Sequence, residues 1–152
     1  MDLRSAVEGD LAALHALEVA VFGSHAYPVS VLRQYFDLLR PDLVVAEVEG
    51  GELAGYGVGG LCAGEPATGW VLAYGVDPRW RGRRLGDRIL RELIRRLVAR
   101  GAMRILATVS PVNEASRRVC EGAGFEAVQT IADYFGPGED RLVMQWRAEA
   151  SG

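Results

Sequence analysis

The sequence predicts a mixed α/β fold in which strands pair first as hairpins and later alternate with helices. Apolar runs at 43–48 and 53–62 flank a Glu-Gly-Gly-Glu segment, which is a hairpin signal. A third apolar run at 70–76 precedes residues 85–97, where leucine and isoleucine recur at the four-residue spacing of an apolar helix face. We therefore expect a sheet of mixed direction, with some parallel pairing.

The N-terminal half is expected to place two helices between the first strand and the hairpin. Ser30 is a residue type that caps helices, and Pro41 cannot continue one. The expected elements are a strand at 3–6, a helix at 8–22, a loop at 23–28, a helix from Ser30 to Leu39, and hairpin strands at 43–48 and 53–62.

The C-terminal half alternates strands with helices. Gly101 is a typical residue just past the end of a helix, and Asn113 lies where the next helix opens. The expected elements are a loop at 63–69, a central buried strand at 70–76, a helix at 83–100, a strand at 105–109, a helix at 113–121, and strands at 125–131 and 141–146. No repeat or linker is visible, so we expect one domain over 1–152.

Composition narrows the functional classes. No apolar run approaches the ~20 residues that span a bilayer, and the N-terminus lacks the pattern of a secretory signal. Cys62 and Cys120 lack metal-ligand spacing. We therefore expect a cytoplasmic protein that uses neither a metal ion nor a membrane, as a monomer or a homodimer.

Positive charge is concentrated in one part of the chain. Residues 1–65 carry ten acidic residues and three arginines, whereas residues 79–104 carry ten of the seventeen arginines. An arginine-rich helix could bind nucleic acid. The net charge of −3 and the scarcity of aromatic residues among the arginines argue against that class.

The segment 76–90 has the pattern of a phosphate site. Pro78 cannot donate to a sheet, so the strand ends there, and Gly82 and Gly86 allow close approach of the backbone to a ligand. The free N–H groups and positive dipole end of the following helix favour an anion. Taken alone, the pattern is more often that of a turn with a solvated basic face.

Two motifs resemble the GNAT superfamily of N-acetyltransferases. Val76–Gly86 resembles its acetyl-CoA loop, Val-x-Pro-x-x-(Arg/Gln)-Gly-x-Gly-(Ile/Leu)-(Gly/Ala), with Arg84 at a glycine position. Residues 113–125 resemble its second signature, Asn-x-x-Ala/Ser-x-x-Leu-Tyr-x-x-x-Gly-Phe. Segments 27–30 and 133–144 are similar to the ribosomal-protein-alanine and other protein N-terminal acetyltransferases. The resemblance implies a mostly antiparallel sheet of about six to seven strands, with helices on both faces and a splayed central strand pair.

The resemblance also implies acetyl-CoA as cofactor. The backbone of 74–76 would bind its pantetheine arm, residues 81–86 would wrap its pyrophosphate, and Asn113 would hold the arm, cap its helix, or do both. The implied cofactor-binding residues are Tyr74, Gly75, Val76, Arg81, Gly82, Arg83, Arg84, Leu85, Gly86, Asp87 and Asn113.

Arg84 can satisfy the loop in two ways. A positive φ would strain it by ~1 kcal/mol or more, whereas a helical conformation would let its side chain reach the 3′-phosphate. We expect the helical conformation.

The catalytic positions depart from the family pattern. Thr108 aligns with the usual Glu base and Cys120 with the usual Tyr acid. Cys120 is equally compatible with a proton donor and with a buried packing residue. Tyr134 is a candidate proton donor or peptide contact, or simply a hairpin aromatic, and Thr108 could hold a water.

His25 and Tyr27 are candidate substrate contacts, although His25 also fits a solvated loop residue. The implied reaction is direct acetyl transfer to an amine, and we expect a protein or peptide N-terminal amine. A small-molecule amine, or a catalytically weak acyl-CoA-binding regulatory protein, remains an alternative.

Overall fold

One seven-stranded sheet carries the fold, in the order β1-β2-β3-β4-β5-β7-β6. A computed structural model of the chain describes residues 1–149. Among these described residues, only β4 and β5 pair in parallel, and every other pair of neighbouring strands is antiparallel. The expected mostly antiparallel sheet is confirmed. The strands are β1 (Asp2–Ser5), β2 (Leu43–Glu47), β3 (Leu53–Cys62), β4 (Glu65–Val76), β5 (Arg104–Val109), β6 (Glu126–Ile131) and β7 (Arg141–Arg147).

Helices cover both faces of the sheet, because residues alternate between two cores along each strand. Val44 and Ala46 belong to one buried cluster together with α3 and Cys120 of α4, whereas Leu43 and Val45 belong to the other, with α1 and α2. The helices are α1 (Leu11–Phe22), α2 (Val29–Leu39), α3 (Leu85–Ala99) and α4 (Glu114–Gly122). Among residues 1–149, no helix combines the length and the apolar character needed to cross a membrane.

The helix α3 lies very close to the sheet. A Cβ at Gly57 of β3 would stand 2.6 Å from Cγ2 of Ile89 and 2.9 Å from Cδ1 of Leu93. The missing side chain therefore lets the apolar face of α3 rest directly on the strand. This contact sets the distance between α3 and the sheet.

The central strands separate at one end. The β4–β5 pairing joins only Thr68–Trp70 to Arg104–Leu106. Leu72 is an extra residue in β4, because Val58 and Gly59 of β3 face Ala73 and Val71 in turn. Such a bulge bends a strand and increases its twist. Beyond Trp70 the two strands diverge, which confirms the expected splayed pair.

Two expectations from the sequence were wrong, one for residues 63–69 and one for the start of α2. Residues 63–69 are not all loop, because β4 begins at Glu65, after a short turn. These first residues of β4 are polar or small, and contacts with the segment around β5 help to hold them. Met103 N–H donates to the Ala67 carbonyl (2.7 Å), and Arg104 pairs with Glu65 (3.1 Å).

Ser30 does not cap α2. The helix begins at Val29, and the capping position is Pro28, with φ −68° and extended ψ. The fixed φ of proline and its carbonyl start this helix without a side-chain cap, so Ser30 lies inside the first turn. Pro41 follows the helix, as expected, within a short 3-10 turn at Arg40–Asp42.

Candidate functional site

The end of β4 presents unused backbone donors towards β5. Asp77 N–H donates to the Ala54 carbonyl of β3 (2.9 Å). Because donors alternate between the two edges of a strand, the N–H groups of Val76 and Tyr74 face the other edge. That edge has no strand partner beyond Trp70 within residues 1–149. An extended ligand lying in the gap would meet these donors in the way that an added strand would.

The turn after β4 is held by a buried carboxylate. Asp77, 6% exposed, accepts a hydrogen bond from the Arg79 N–H at 2.9 Å, and Arg79 also pairs with it at 2.9 Å. The Arg79 guanidinium therefore lowers the pKa of Asp77. A single 3-10 turn, Pro78–Trp80, carries the chain from there to the glycine segment.

Residues 82–84 form a concave backbone arrangement that is open to an anion. Gly82 has φ +80° and Arg84 has φ +60°, with Arg83 between them at negative φ. Alternation of this kind turns successive N–H groups to one side, forming a backbone nest. In the described chain, the N–H groups of residues 82–87 have no acceptor, and the first bonded one is Arg88, to the Arg84 carbonyl (3.1 Å). The nest opens directly into the first turn of α3, whose dipole adds to its attraction for phosphate.

The expectation for Arg84 was wrong. Its φ of +60° and ψ of +21° are left-handed rather than helical, so it occupies the conformation in which the family pattern has glycine. The nest requires a left-handed conformation at Arg84, because neighbouring N–H groups converge only in that conformation. The chain accepts a strain of ~1–2 kcal/mol at this residue.

The arginines fall into two groups. Arg79, Arg91, Arg95 and Arg96 are in ion pairs with nearby carboxylates. Within the part of the chain that the structure describes, the arginines around the nest have no such partner; they are Arg81, Arg83, Arg84 and Arg88. Arg83 lies over the Trp80 ring, with Cζ 4.8 Å from its centroid. The positive charge beside the nest is thus not neutralised by the protein.

Two further expected cofactor residues have structural partners. Asn113 caps α4, because its side-chain oxygen accepts from Ser116 N–H at 3.1 Å. The carboxylate of Asp87 accepts two hydrogen bonds from Arg91 Nε, at 2.9 and 3.0 Å. The Asp87 N–H, in contrast, belongs to the open group of donors.

Cys120 lies beneath the site and not at its surface. Its side chain is fully buried, and burial raises the pKa of its thiol. The Tyr74 hydroxyl lies 2.7 Å from Ser116 Oγ and 3.9 Å from Cys120 Sγ. Burial also raises the pKa of Tyr74, so its phenol stays protonated. Among residues 1–149, no carboxylate is hydrogen-bonded to any member of this group.

The expected acceptor-side residues lie on separate elements. Tyr27 and His25 are in the loop after α1, His25 in a short 3-10 turn and exposed. Thr108 is half-buried on the face of β5 opposite Ala107, and Tyr134 is half-buried with its ring 4.8 Å from that of Phe135. No hydrogen bond joins Tyr134 to Thr108 within the described residues.

Sequence reasoning missed a buried carboxylate beside this loop. Glu18, 1% exposed, accepts from the Tyr27 N–H at 2.6 Å and from the Tyr56 hydroxyl. The signal was available, because Glu18 follows Leu14 by four residues and so lies on the apolar face of α1. Ser116, which bonds Tyr74, carried no comparable signal.

In residues 1–149, no three His, Cys, Asp or Glu side chains are grouped as metal ligands. The site brings together main-chain donors, arginines without an ion-pair partner in residues 1–149, and an open strand edge. This set of donors fits a pyrophosphate joined to an extended amide-containing arm, as in acetyl-CoA.

Comparison with known proteins agrees with the geometry. Residues 11–125 match the model of the Acetyltransferase (GNAT) family. The chain is 33% identical over 129 residues to the L-2,4-diaminobutyric acid acetyltransferase of Bordetella parapertussis, covering 82% of this chain and 67% of that protein. It is 37% identical over 87 residues to an acetyltransferase of Photorhabdus laumondii, covering 57% of this chain and 58% of that protein.

The fold is similar to that of the ribosomal-protein-alanine N-acetyltransferase of Brucella melitensis. The TM-score is 0.80 and the identity 26%, over 97% of this chain and all (100%) of that one. The resemblance found in the two sequence motifs is thereby confirmed. This chain belongs to the acetyltransferase (GNAT) family, whose members use acetyl-CoA as acyl donor.

Proposed function

We propose that this chain transfers the acetyl group of acetyl-CoA directly to an unprotonated, weakly basic amine, foremost the α-amine of a peptide N-terminus. The observation that carries the proposal is the group of unbonded N–H donors at residues 82–87, next to unpaired arginines. These donors would hold the pyrophosphate, and the open edge of β4 at Tyr74, Gly75 and Val76 would hold the pantetheine arm.

The acceptor class follows from the missing base. In the reaction the amine nitrogen forms a bond to the acetyl carbon, the carbon–sulfur bond breaks, and the nitrogen loses a proton as the thiol gains one. With Thr108 and Cys120 at the usual catalytic positions, neither position supplies a carboxylate to take that proton. A peptide α-amine, of pKa about 8, is roughly one-tenth neutral at pH 7, whereas a lysine amine, of pKa about 10.4, is almost entirely charged.

Side chains would then assist rather than drive the transfer. We place Tyr134 at the acceptor, as proton donor or peptide contact, and a Thr108-held water as the proton relay. Tyr27 and His25 would contact the acceptor from the loop at 23–28. Cys120 is assigned to packing, because its thiol is fully buried and its pKa is raised.

A small-molecule amine is the second candidate. It is favoured by the 33% identity to an enzyme named for diaminobutyric acid. A weak acyl-CoA-binding regulator is the third, favoured by the altered catalytic positions.

A thiol-release assay with acetyl-CoA separates the three. The acceptors are a peptide with a free N-terminus, the same peptide with a blocked N-terminus and an internal lysine, and 2,4-diaminobutyric acid. Release with the free N-terminus alone supports the main proposal, and release only with diaminobutyric acid selects the second. Coenzyme A binding without any release selects the third.

The assignment of Cys120 has its own test. Cys120→Ala should leave kcat within about twofold while lowering stability, as expected of a buried packing residue. The opposite result would be a large fall in kcat together with loss of the alkaline limb of the pH profile of kcat. That result would identify the thiol as a proton donor.

A further inference from the structure

We propose that Glu18 is a positioning residue that fixes the loop at 23–28 relative to β4, and so sets the affinity for the acceptor but not for acetyl-CoA. This inference rests on the proposed function, in which that loop contacts the acceptor. It concerns a buried carboxylate that has no part in the chemistry outlined above.

The carboxylate of Glu18 joins the loop to the sheet. One oxygen accepts from the backbone N–H of Tyr27 at 2.6 Å, and the other accepts from the hydroxyl of Tyr56. Glu18 is 1% exposed and Tyr56 0% exposed, so their bond is shielded from water, and the bond to the Tyr27 N–H is partly buried. A carboxylate with two hydrogen bonds in a buried place is a strong and directional anchor.

The anchor reaches the strand at the open gap. Tyr56 on β3 lies directly opposite Gly75 on β4, one residue before Val76. The same segment of β4 supports the end of α1, because a Cβ at Gly75 would stand 2.9 Å from Val21 Cγ1 and 3.3 Å from Phe22 Cε2. The loop is thereby held against the part of β4 whose edge donors face the gap.

The side chain of Tyr27 gains its position from this bond. Tyr27 is 40% exposed, and its ring contacts the Tyr35 ring edge to face, with centroids 6.3 Å apart. The partly exposed side chain is therefore attached to a backbone that Glu18 holds by a hydrogen bond. A loop held in this way presents the same surface to each acceptor, which lowers the ordering cost of binding.

The distinguishing variants are Glu18→Leu and Glu18→Gln. Leucine removes both acceptors and leaves the Tyr27 N–H and the Tyr56 hydroxyl unbonded. Glutamine restores both bonds, because its carbonyl accepts from Tyr27 while its amide donates to the Tyr56 oxygen. Tyr56→Phe, which removes one bond only, serves as a milder second variant if the leucine variant does not fold.

The expected result is a selective effect on the acceptor. Glu18→Leu should raise the KM for the acceptor roughly tenfold or more, with the KM for acetyl-CoA within about twofold. Glu18→Gln should stay close to the original protein, and Tyr56→Phe should fall between the two. Hydrogen exchange at the Tyr27 amide should quicken in the leucine variant and stay slow in the glutamine variant.

Each outcome decides a separate point. Unchanged exchange at Tyr27, or equal changes of both KM values, would overturn the role of Glu18. An unsubstituted chain that acetylates no amine would overturn the proposed function and the acceptor claim with it. In that case the exchange measurement still decides whether Glu18 anchors the loop.

Discussion

Replacing Gly82 with alanine should weaken coenzyme A binding without lowering stability. Gly82 has φ +80°, and a Cβ there would meet nothing within 4 Å, so the substitution adds backbone strain and no clash. A left-handed conformation costs an L-residue ~1–2 kcal/mol. Because the Gly82 N–H donates no hydrogen bond in the described chain, position 82 can relax out of that conformation, unlike Arg84, whose carbonyl is held by the Arg88 N–H.

The strain should therefore appear on binding, when the nest must re-form. At about 1.4 kcal/mol per factor of ten, 1–2 kcal/mol corresponds to a rise in Kd of roughly 5- to 30-fold. Isothermal titration calorimetry with coenzyme A measures the Kd, and a thermal melt of the same samples measures stability.

Gly138→Ala is the matched control. Gly138 has φ +78°, with equally open space around its Cβ position. Its N–H donates to Asp133 Oδ1 at 2.8 Å, so this loop is held and cannot relax freely. The same strain should here lower Tm by about 2–8 °C and leave the Kd for coenzyme A unchanged. The nest assignment would be refuted by an unchanged Kd in Gly82→Ala, or by equal losses of affinity in the two variants.

Three further substitutions test charge, packing and acid stability. Arg84→Ala should raise the Kd for coenzyme A roughly tenfold, and by a smaller factor at high salt. Arg95 is exposed and ion-paired, so Arg95→Ala should change the same Kd by less than about twofold. Gly57→Ala, whose Cβ would meet α3 at 2.6 Å, should lower the free energy of unfolding in urea by about 1–3 kcal/mol, whereas Gly64→Ala, with nothing within 4 Å, should be neutral. The Arg95 guanidinium lowers the pKa of Glu92 from 4.5 to about 2, so its contribution is complete above pH 4.5 and is lost as the pH falls towards 2. Over that range, the stability of Glu92→Gln should fall less steeply than that of the original chain; equal slopes would contradict the linkage.

Local patterns predicted the regular elements well. The hairpin strand has the expected bounds, 53–62. The residues of α3 that are buried include those expected from the four-residue spacing of leucine and isoleucine. Gly101, at φ +113°, ends the region of α3 as its residue type predicts. In each case the information lies within a few residues of the element itself.

The errors came from contacts between distant segments. The start of β4 pairs with Cys62 of β3 across the turn, and its Glu65 also pairs with Arg104, a distant residue that no local pattern contains. Arg84 adopts a left-handed conformation because the nest requires it, against the preference of the residue. Glu18 acquires its role from Tyr56, which is 38 positions away in the chain. The phosphate loop could be predicted from its motif, whereas the acceptor side depends on such long-range pairs.

The parallel pairing of β4 with β5 is the shortest strand ladder among the described residues. It joins Thr68–Trp70 to Arg104–Leu106, between β1–β4 and the other three strands of the sheet. A ligand seated in the gap would contact both parts, so its free energy of binding would also oppose their separation. The melting temperature should then rise with ligand concentration, with the largest gain in hydrogen-exchange protection at the two facing strand ends.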